Sequence, residues 1–85
     1  MASYSLRVKK GAEKELRGVP RADLARLIRR IQTLAQNPRP AGCEKLSGEE
    51  RYRIRQGDRR VVYSIEDRSK VVEVVKIGHR REVYR

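Results

Sequence analysis

The residues in this chain best suited to chemistry are three arginines, Arg53, Arg55 and Arg60, within the stretch ERYRIRQGDRRVVYSI, residues 50–65. Arg51-Tyr52-Arg53-Ile54-Arg55 alternates basic and apolar residues, the period-two mark of a strand with one buried and one wet face. Gly57-Asp58 suits a two-residue type II′ turn, which takes Gly at its first central position. A return strand then runs from Arg59 to Ile65. The turn sets the register: Gln56 faces Arg59, Arg55 faces Arg60, Ile54 faces Val61, Arg53 faces Val62 and Tyr52 faces Tyr63. Facing residues share a side of a sheet. Tyr52, Ile54, Val61, Tyr63 and Ile65 therefore point into a core, and Arg53, Arg55 and Arg60 point together the other way. Like charges opposed across a ladder destabilise it by up to ~1 kcal/mol per pair. A solvated face placed elsewhere would carry its charge at less cost, so the cluster implies an anion to hold. Arg is the side chain for bidentate contact with phosphate.

Composition points the same way. The 85 residues carry a formal net charge of +11, with 22 Lys and Arg, 16 of them Arg, against 11 Asp and Glu. The excess predicts a polyanionic partner, nucleic acid before acidic protein and acidic protein before anionic membrane. No apolar run approaches the ~20 residues that span a bilayer, and no signal-peptide pattern opens the chain, so a cytoplasmic protein without a membrane partner is expected. The single cysteine, Cys43, excludes an internal disulfide and fits a reducing compartment. It reads as a loop residue without a role. One His and one Cys are too few for a structural zinc site, and no metal or other cofactor is expected. The length fits one domain, residues 1–85, with a modest core.

The elements that must position the arginines follow from periodicity. Tyr4-Ser5-Leu6-Arg7-Val8 alternates and predicts a strand over about Ser3–Lys9. A short helix is expected from Ala12 to Arg17, ended by Gly18. A second runs from about Pro20 to Gln36, where Leu24, Leu27, Ile28, Ile31, Leu34 and Ala35 recur at steps of three and four. Arg21, Arg26, Arg29 and Arg30 lie off that stripe and read as a solvated helix face. Asn37-Pro38-Arg39-Pro40 stops the helix, and the segment around Cys43 and Glu44 reads as a loop before the hairpin. Val71-Val72-Glu73-Val74-Val75-Lys76-Ile77 is a β-branched strand, apolar on both faces in part and therefore expected at the centre of the sheet. The order β-α-α-β-β-β predicts an α+β fold, with two helices on one face of a mainly antiparallel sheet. The other face is left open for Arg53, Arg55 and Arg60, with Arg80 and Tyr84 following the last strand and able to fold beside them.

Several short marks in this order resemble the RelE/ParE superfamily of bacterial toxin–antitoxin toxins, the RelE branch most closely. They are Asn37-Pro38, Lys45-Leu46-x-Gly48, Tyr52-Arg53-Ile54-Arg55-x-Gly57-Asp58-x-Arg60-Val61-Val62-Tyr63, Gly78-His79-Arg80 and the closing Val83-Tyr84. The resemblance covers nearly the whole chain. It implies a microbial-ribonuclease-like fold and a ribosome-dependent endoribonuclease that enters the 70S ribosomal A site and cuts messenger RNA. There the ribose 2′-hydroxyl attacks the adjacent phosphate, leaving a 2′,3′-cyclic phosphate and a 5′-hydroxyl. It also implies a cognate, RelB-like antitoxin. The charge of +11 and the open basic face predict that a helix of that partner lies in the groove and displaces or blocks part of the Arg53–Arg55–Arg60 site. The family's functional positions fall on Arg53, Arg55, Arg60, Arg80 and Tyr84. The basic residues beside them, Arg51, Arg59 and Arg81, are expected to be further RNA contacts. A ParE-type inhibitor of DNA gyrase without nuclease activity would share the fold. A plain single-strand binder built on base stacking is disfavoured, because the chain has no Phe or Trp and only four Tyr.

The resemblance leaves the general base open. The family's best-known member has lysines where this chain has Arg53 and Arg55, and a guanidinium stays protonated. These two can hold phosphate and stabilise developing charge but cannot take a proton. Glu44 matches a glutamate that a related branch places before the same Leu-x-Gly segment and uses as the base. His79 is the one side chain whose type has an ordinary pKa near neutrality, but in a strand it would face away from Arg80. The ribosome could supply a group or only align the RNA.

Overall fold

The computed structural model describes residues 3–46 and 50–79. Their elements are β1 (Ser5–Val8), α1 (Lys10–Arg17), α2 (Arg21–Thr33), β2 (Glu44–Leu46), β3 (Arg51–Gln56), β4 (Arg59–Glu66) and β5 (Val71–His79). Among the described residues five strands form one sheet in the order β1-β5-β4-β3-β2. Every neighbouring pair is antiparallel except β1 with β5, which is parallel. The α+β class and the helices' place on one face are as the periodicity predicts. Ala12 of α1 and Leu27, Ile31 and Leu34, the last capping α2, pack with Tyr52, Ile54, Val61, Tyr63, Ile65, Val72, Val74 and Ile77 in one core. Each fully buried Val, Leu or Ile among them contributes about 1.5–3 kcal/mol by leaving water. No described helix is long and apolar enough to cross a membrane.

The hairpin forms in the expected register, with Arg55 opposite Arg60, Ile54 opposite Val61 and Tyr52 opposite Tyr63. Gly57 has φ +61 while Asp58 keeps a negative φ, the sign pattern of a type II′ turn. A Cβ at Gly57 would meet nothing within 4 Å, so backbone conformation rather than space calls for glycine there.

Four expectations need correction. Glu44–Leu46 is a strand: β2 pairs antiparallel with β3, Glu44 opposite Arg53. Gly11 lies inside α1 instead of before it. Pro20 is the N-cap of α2, and the helix ends at Thr33. Ile28, counted on the buried stripe, is 39% exposed because it sits on the flank of the Leu24–Leu27–Ile31–Leu34 ridge.

The last strand is interior, but β4 holds the middle of the sheet. The ladder shifts between Val62 and Tyr63, whose partners are Lys76 and Val74, so Val75 is the extra residue of a bulge. Burial changes phase there, from Val72 and Val74 to Ile77. That switch produced the two-faced apolar look of the sequence. β1 reaches only Val74, and past that point Glu15 of α1 takes over as partner. Its Oε1 accepts a hydrogen bond from the Ile77 N–H at 2.9 Å, and its Oε2 lies 3.3 Å from Lys76 Nζ.

Candidate active site

The strand alternation puts Arg53 and Arg55 of β3 and Arg60 of β4 on the face away from the helices. Arg60 is 3% exposed, so this face is less open at its centre than the sequence suggests. A cation so buried has its geometry fixed by its surroundings, and ordering it costs nothing further when an anion arrives. Arg55 stands exposed beside it in the ladder.

β2 supplies the carboxylate. Glu44 sits opposite Arg53, and Arg53 Nη2 donates to Glu44 Oε1 at 2.7 Å. The Glu44 side chain is 65% exposed, so the pair adds little to stability. Its effect is on charge. The bond from Arg53, then Arg53's charge and those of Arg55 and Arg60, hold the Glu44 carboxyl below its ordinary value of 4.5.

These groups share a cleft of about 460 Å³, lined by Arg30, Gly42, Cys43, Glu44, Arg53, Ile54, Arg55 and Arg60. It opens because β2 covers β3 only from Arg51 to Arg53, leaving the edge of β3 uncovered by β2 beyond that point. The chain turns away through Gly42, whose φ of +90 favours glycine. Four arginines from α2, β3 and β4 thus meet one carboxylate.

Of the other expected site residues, Arg51 lies on β3 opposite Ser64, two residues from Arg53 on the same side. Arg59 is not brought to the cluster. It faces α2, where Arg59 Nη1 lies 3.7 Å from Asp23 Oδ2, and it lines a separate cavity of about 150 Å³ with Asp23, Arg26, Leu27, Gln56, Gly57 and Asp58. Adjacent strand residues point to opposite faces, so Arg59 could not join Arg60. Arg80, Arg81 and Tyr84 lie outside the described residues, as do Ser47 and Gly48 of the Leu-x-Gly segment. His79 ends β5 in register with Arg59. Tyr52 and Tyr63 are buried as expected. Two residues read as bland, Arg30 and Cys43, line the cleft. Helical phase could have flagged Arg30, one residue before the buried Ile31.

Residues 6–84 match the family model described as ParE toxin of type II toxin-antitoxin system, parDE. The chain belongs to the RelE/ParE superfamily of type II toxins. Among solved structures, this toxin is similar to an archaeal RelE from Pyrococcus horikoshii OT3 in its RelE–RelB complex, with 31% identity, 92% of this chain and 96% of that chain covered and a TM-score of 0.83. A mutant Escherichia coli RelE in complex with an antitoxin RelB peptide has 31% identity, coverage of 99% and 92% and a TM-score of 0.76. A chain of the intact E. coli RelBE toxin–antitoxin complex has 28% identity, coverage of 91% and 96% and a TM-score of 0.79. The fold and these neighbours put the toxin close to the RelE branch. A comparison with curated proteins finds no match.

Proposed function

We propose that this toxin is a ribosome-dependent endoribonuclease that cuts messenger RNA in the A site. The observation carrying the reading is the junction of Arg53, Arg55 and Arg60 with an ionised Glu44 in one cleft. Glu44 takes the proton of the ribose 2′-hydroxyl, and the 2′-oxygen attacks the adjacent phosphorus. The phosphorus–5′-oxygen bond breaks, leaving a 2′,3′-cyclic phosphate and a 5′-oxygen that takes its proton from water to become the 5′-hydroxyl. Arg53, Arg55 and Arg60 hold the phosphate and stabilise the negative charge that grows on its oxygens. A base held below 4.5 is a weaker acceptor than one tuned to neutrality, so positioning by the ribosome carries much of the rate. Arg80 and Tyr84 keep the roles given by the resemblance, Arg80 at the phosphorane or leaving oxygen and Tyr84 at the 2′-hydroxyl or a base. Arg51 and Arg81 contact flanking RNA. The protein acts in the cytoplasm, as its ribosomal target requires.

A RelB-like antitoxin neutralises it. Solved neighbours are complexes with RelB, and the +11 charge favours an acidic or amphipathic segment lying over the cleft. Primer-extension mapping in a purified translation system tests the activity. A cut within the A-site codon, lost in Arg60→Ala, is expected. A folded, antitoxin-free toxin that makes no cut overturns it. The ParE name of the matched family favours a second reading, inhibition of DNA gyrase, which predicts loss of supercoiling with no RNA cleavage.

A further inference from the structure

We propose that the inner end of the cleft, at Arg30, is a second phosphate subsite that holds the RNA phosphate neighbouring the one cleaved. The proposal deepens the nuclease reading and rests on it for the identity of the ligand as RNA. Three observations carry it. Arg30 stands in the last turn of α2, on the helix side of the sheet, yet lines the same cleft as Arg53, Arg55 and Arg60. The cleft therefore passes around the edge of β3, where β2 has ended.

Arg30 is half-buried, and among the described residues no ion pair involves it. A cation drawn partly out of water costs free energy unless a counter-charge meets it. The nearby carboxylate, Glu44, is already bonded to Arg53. The inner end thus has a cation and no anion of its own.

The passage also has room. Its volume of about 460 Å³ falls within the ~300–1,000 Å³ typical of sites for small ligands, more than one phosphate needs. Gly42 at its rim has no side chain to narrow it, and a Cβ there would meet nothing within 4 Å. An RNA strand bending around the β3 edge would set one phosphate among Arg53, Arg55 and Arg60 and the next at Arg30.

A different role for Arg30 is to favour the negative end of the α2 dipole. The test separates the two. Binding of a fluorescent 2′-O-methyl tetraribonucleotide, which cannot be cleaved, is measured by anisotropy at several salt concentrations. Wild type is compared with Arg30→Gln, Arg55→Gln and, as an exposed neighbour on the same helix, Arg29→Gln, and each variant's melting temperature is recorded. Loss of one phosphate contact lowers the salt slope by about 0.7 for single strands and weakens binding about tenfold, the worth of a charged hydrogen bond. Arg30→Gln should show both effects with an unchanged melting temperature, Arg55→Gln should show a comparable loss and Arg29→Gln should show neither. If Arg55→Gln lowers the slope and Arg30→Gln does not, the subsite is wrong and the nuclease site stands. A lower melting temperature in Arg30→Gln with an unchanged slope also overturns it, in favour of the helix end. If neither Arg30→Gln nor Arg55→Gln alters the slope, the subsite falls, and the nuclease reading is decided separately by the primer-extension cut.

Discussion

Two neighbouring residues of β3, Tyr52 and Arg53, open onto two arginine sites of opposite character, one built on a single arginine and one on four. On the Tyr52 side, Arg39 lies over the Tyr52 ring at 5.2 Å, donates from Nε to the Tyr52 hydroxyl at 3.2 Å and meets Asp67 Oδ2 with Nη2 at 3.0 Å. Asp67 also accepts the Tyr4 hydroxyl at 2.7 Å. Tyr52 stacks on Tyr63, whose hydroxyl donates to the Pro38 carbonyl at 2.7 Å. There an arginine is matched by an acceptor and a ring, tying the segment after α2 to β3 and the β4–β5 turn. On the Arg53 side, four arginines share one cleft with one carboxylate. The first arrangement spends its charge on the fold. The second, on the nuclease reading proposed above, holds its charge for RNA, at some expense to stability.

The sharpest way to break this comparison is to exchange what each site is measured by. Arg60→Ala should lower ribosome-dependent cleavage by about 10²-fold or more, the scale of one lost transition-state donor, while Arg39→Ala leaves it within about threefold. Single-turnover cleavage of a programmed ribosome reads both. Equal losses would erase the division.

Stability should divide the other way. Tyr63→Phe strands the Pro38 carbonyl in the core and should cost about 1–3 kcal/mol in urea unfolding. Arg55→Gln removes the charge opposite Arg60 and should stabilise by up to ~1 kcal/mol while cleavage falls. A destabilised Arg55→Gln would mean that the arginine ladder serves the fold after all.

The smallest effects are in pH. The bond from Arg39, then that from Tyr4, holds Asp67 below its ordinary value of 3.8. A carboxyl lowered by folding stabilises above its unfolded pKa, and that stability is lost as pH falls through the folded value. The melting difference between wild type and Arg39→Ala should therefore hold from pH 8 to 5 and shrink below about 3.8. Glu44 is also depressed, so cleavage should not decline between pH 8 and 5 through its protonation. A titration centred near pH 6 would move the base to another group.

The hairpin was legible because its alternation and its Gly-x turn fix register locally, and with it the arginine cluster. Arg59 shows the same rule ignored: its parity alone assigns it to the other face. β2 was not legible, since three residues, two of them charged, are too few to show a period. The bulge at Val75 was hidden because a run of valines looks alike in either phase. Arg39 and Arg30 were missed for a different reason. Their surroundings, Tyr52 and Asp67 for Arg39 and the β3 edge for Arg30, are brought near only by the fold. Glu44 was found as an isolated candidate through the resemblance, but its bond to Arg53 needed β2.

The parallel pairing of Ser5 with Val71 also bears on how this protein is made. Contacts between distant parts of a sequence slow folding, because the intervening loop must be closed before they form. The β3–β4 hairpin can close as it emerges during synthesis, but β1 must wait until Val71–Val74 exist. A sheet joined in this order is completed only once β5 has been made. Until then the nascent toxin has its arginines but lacks the finished scaffold that would aim them.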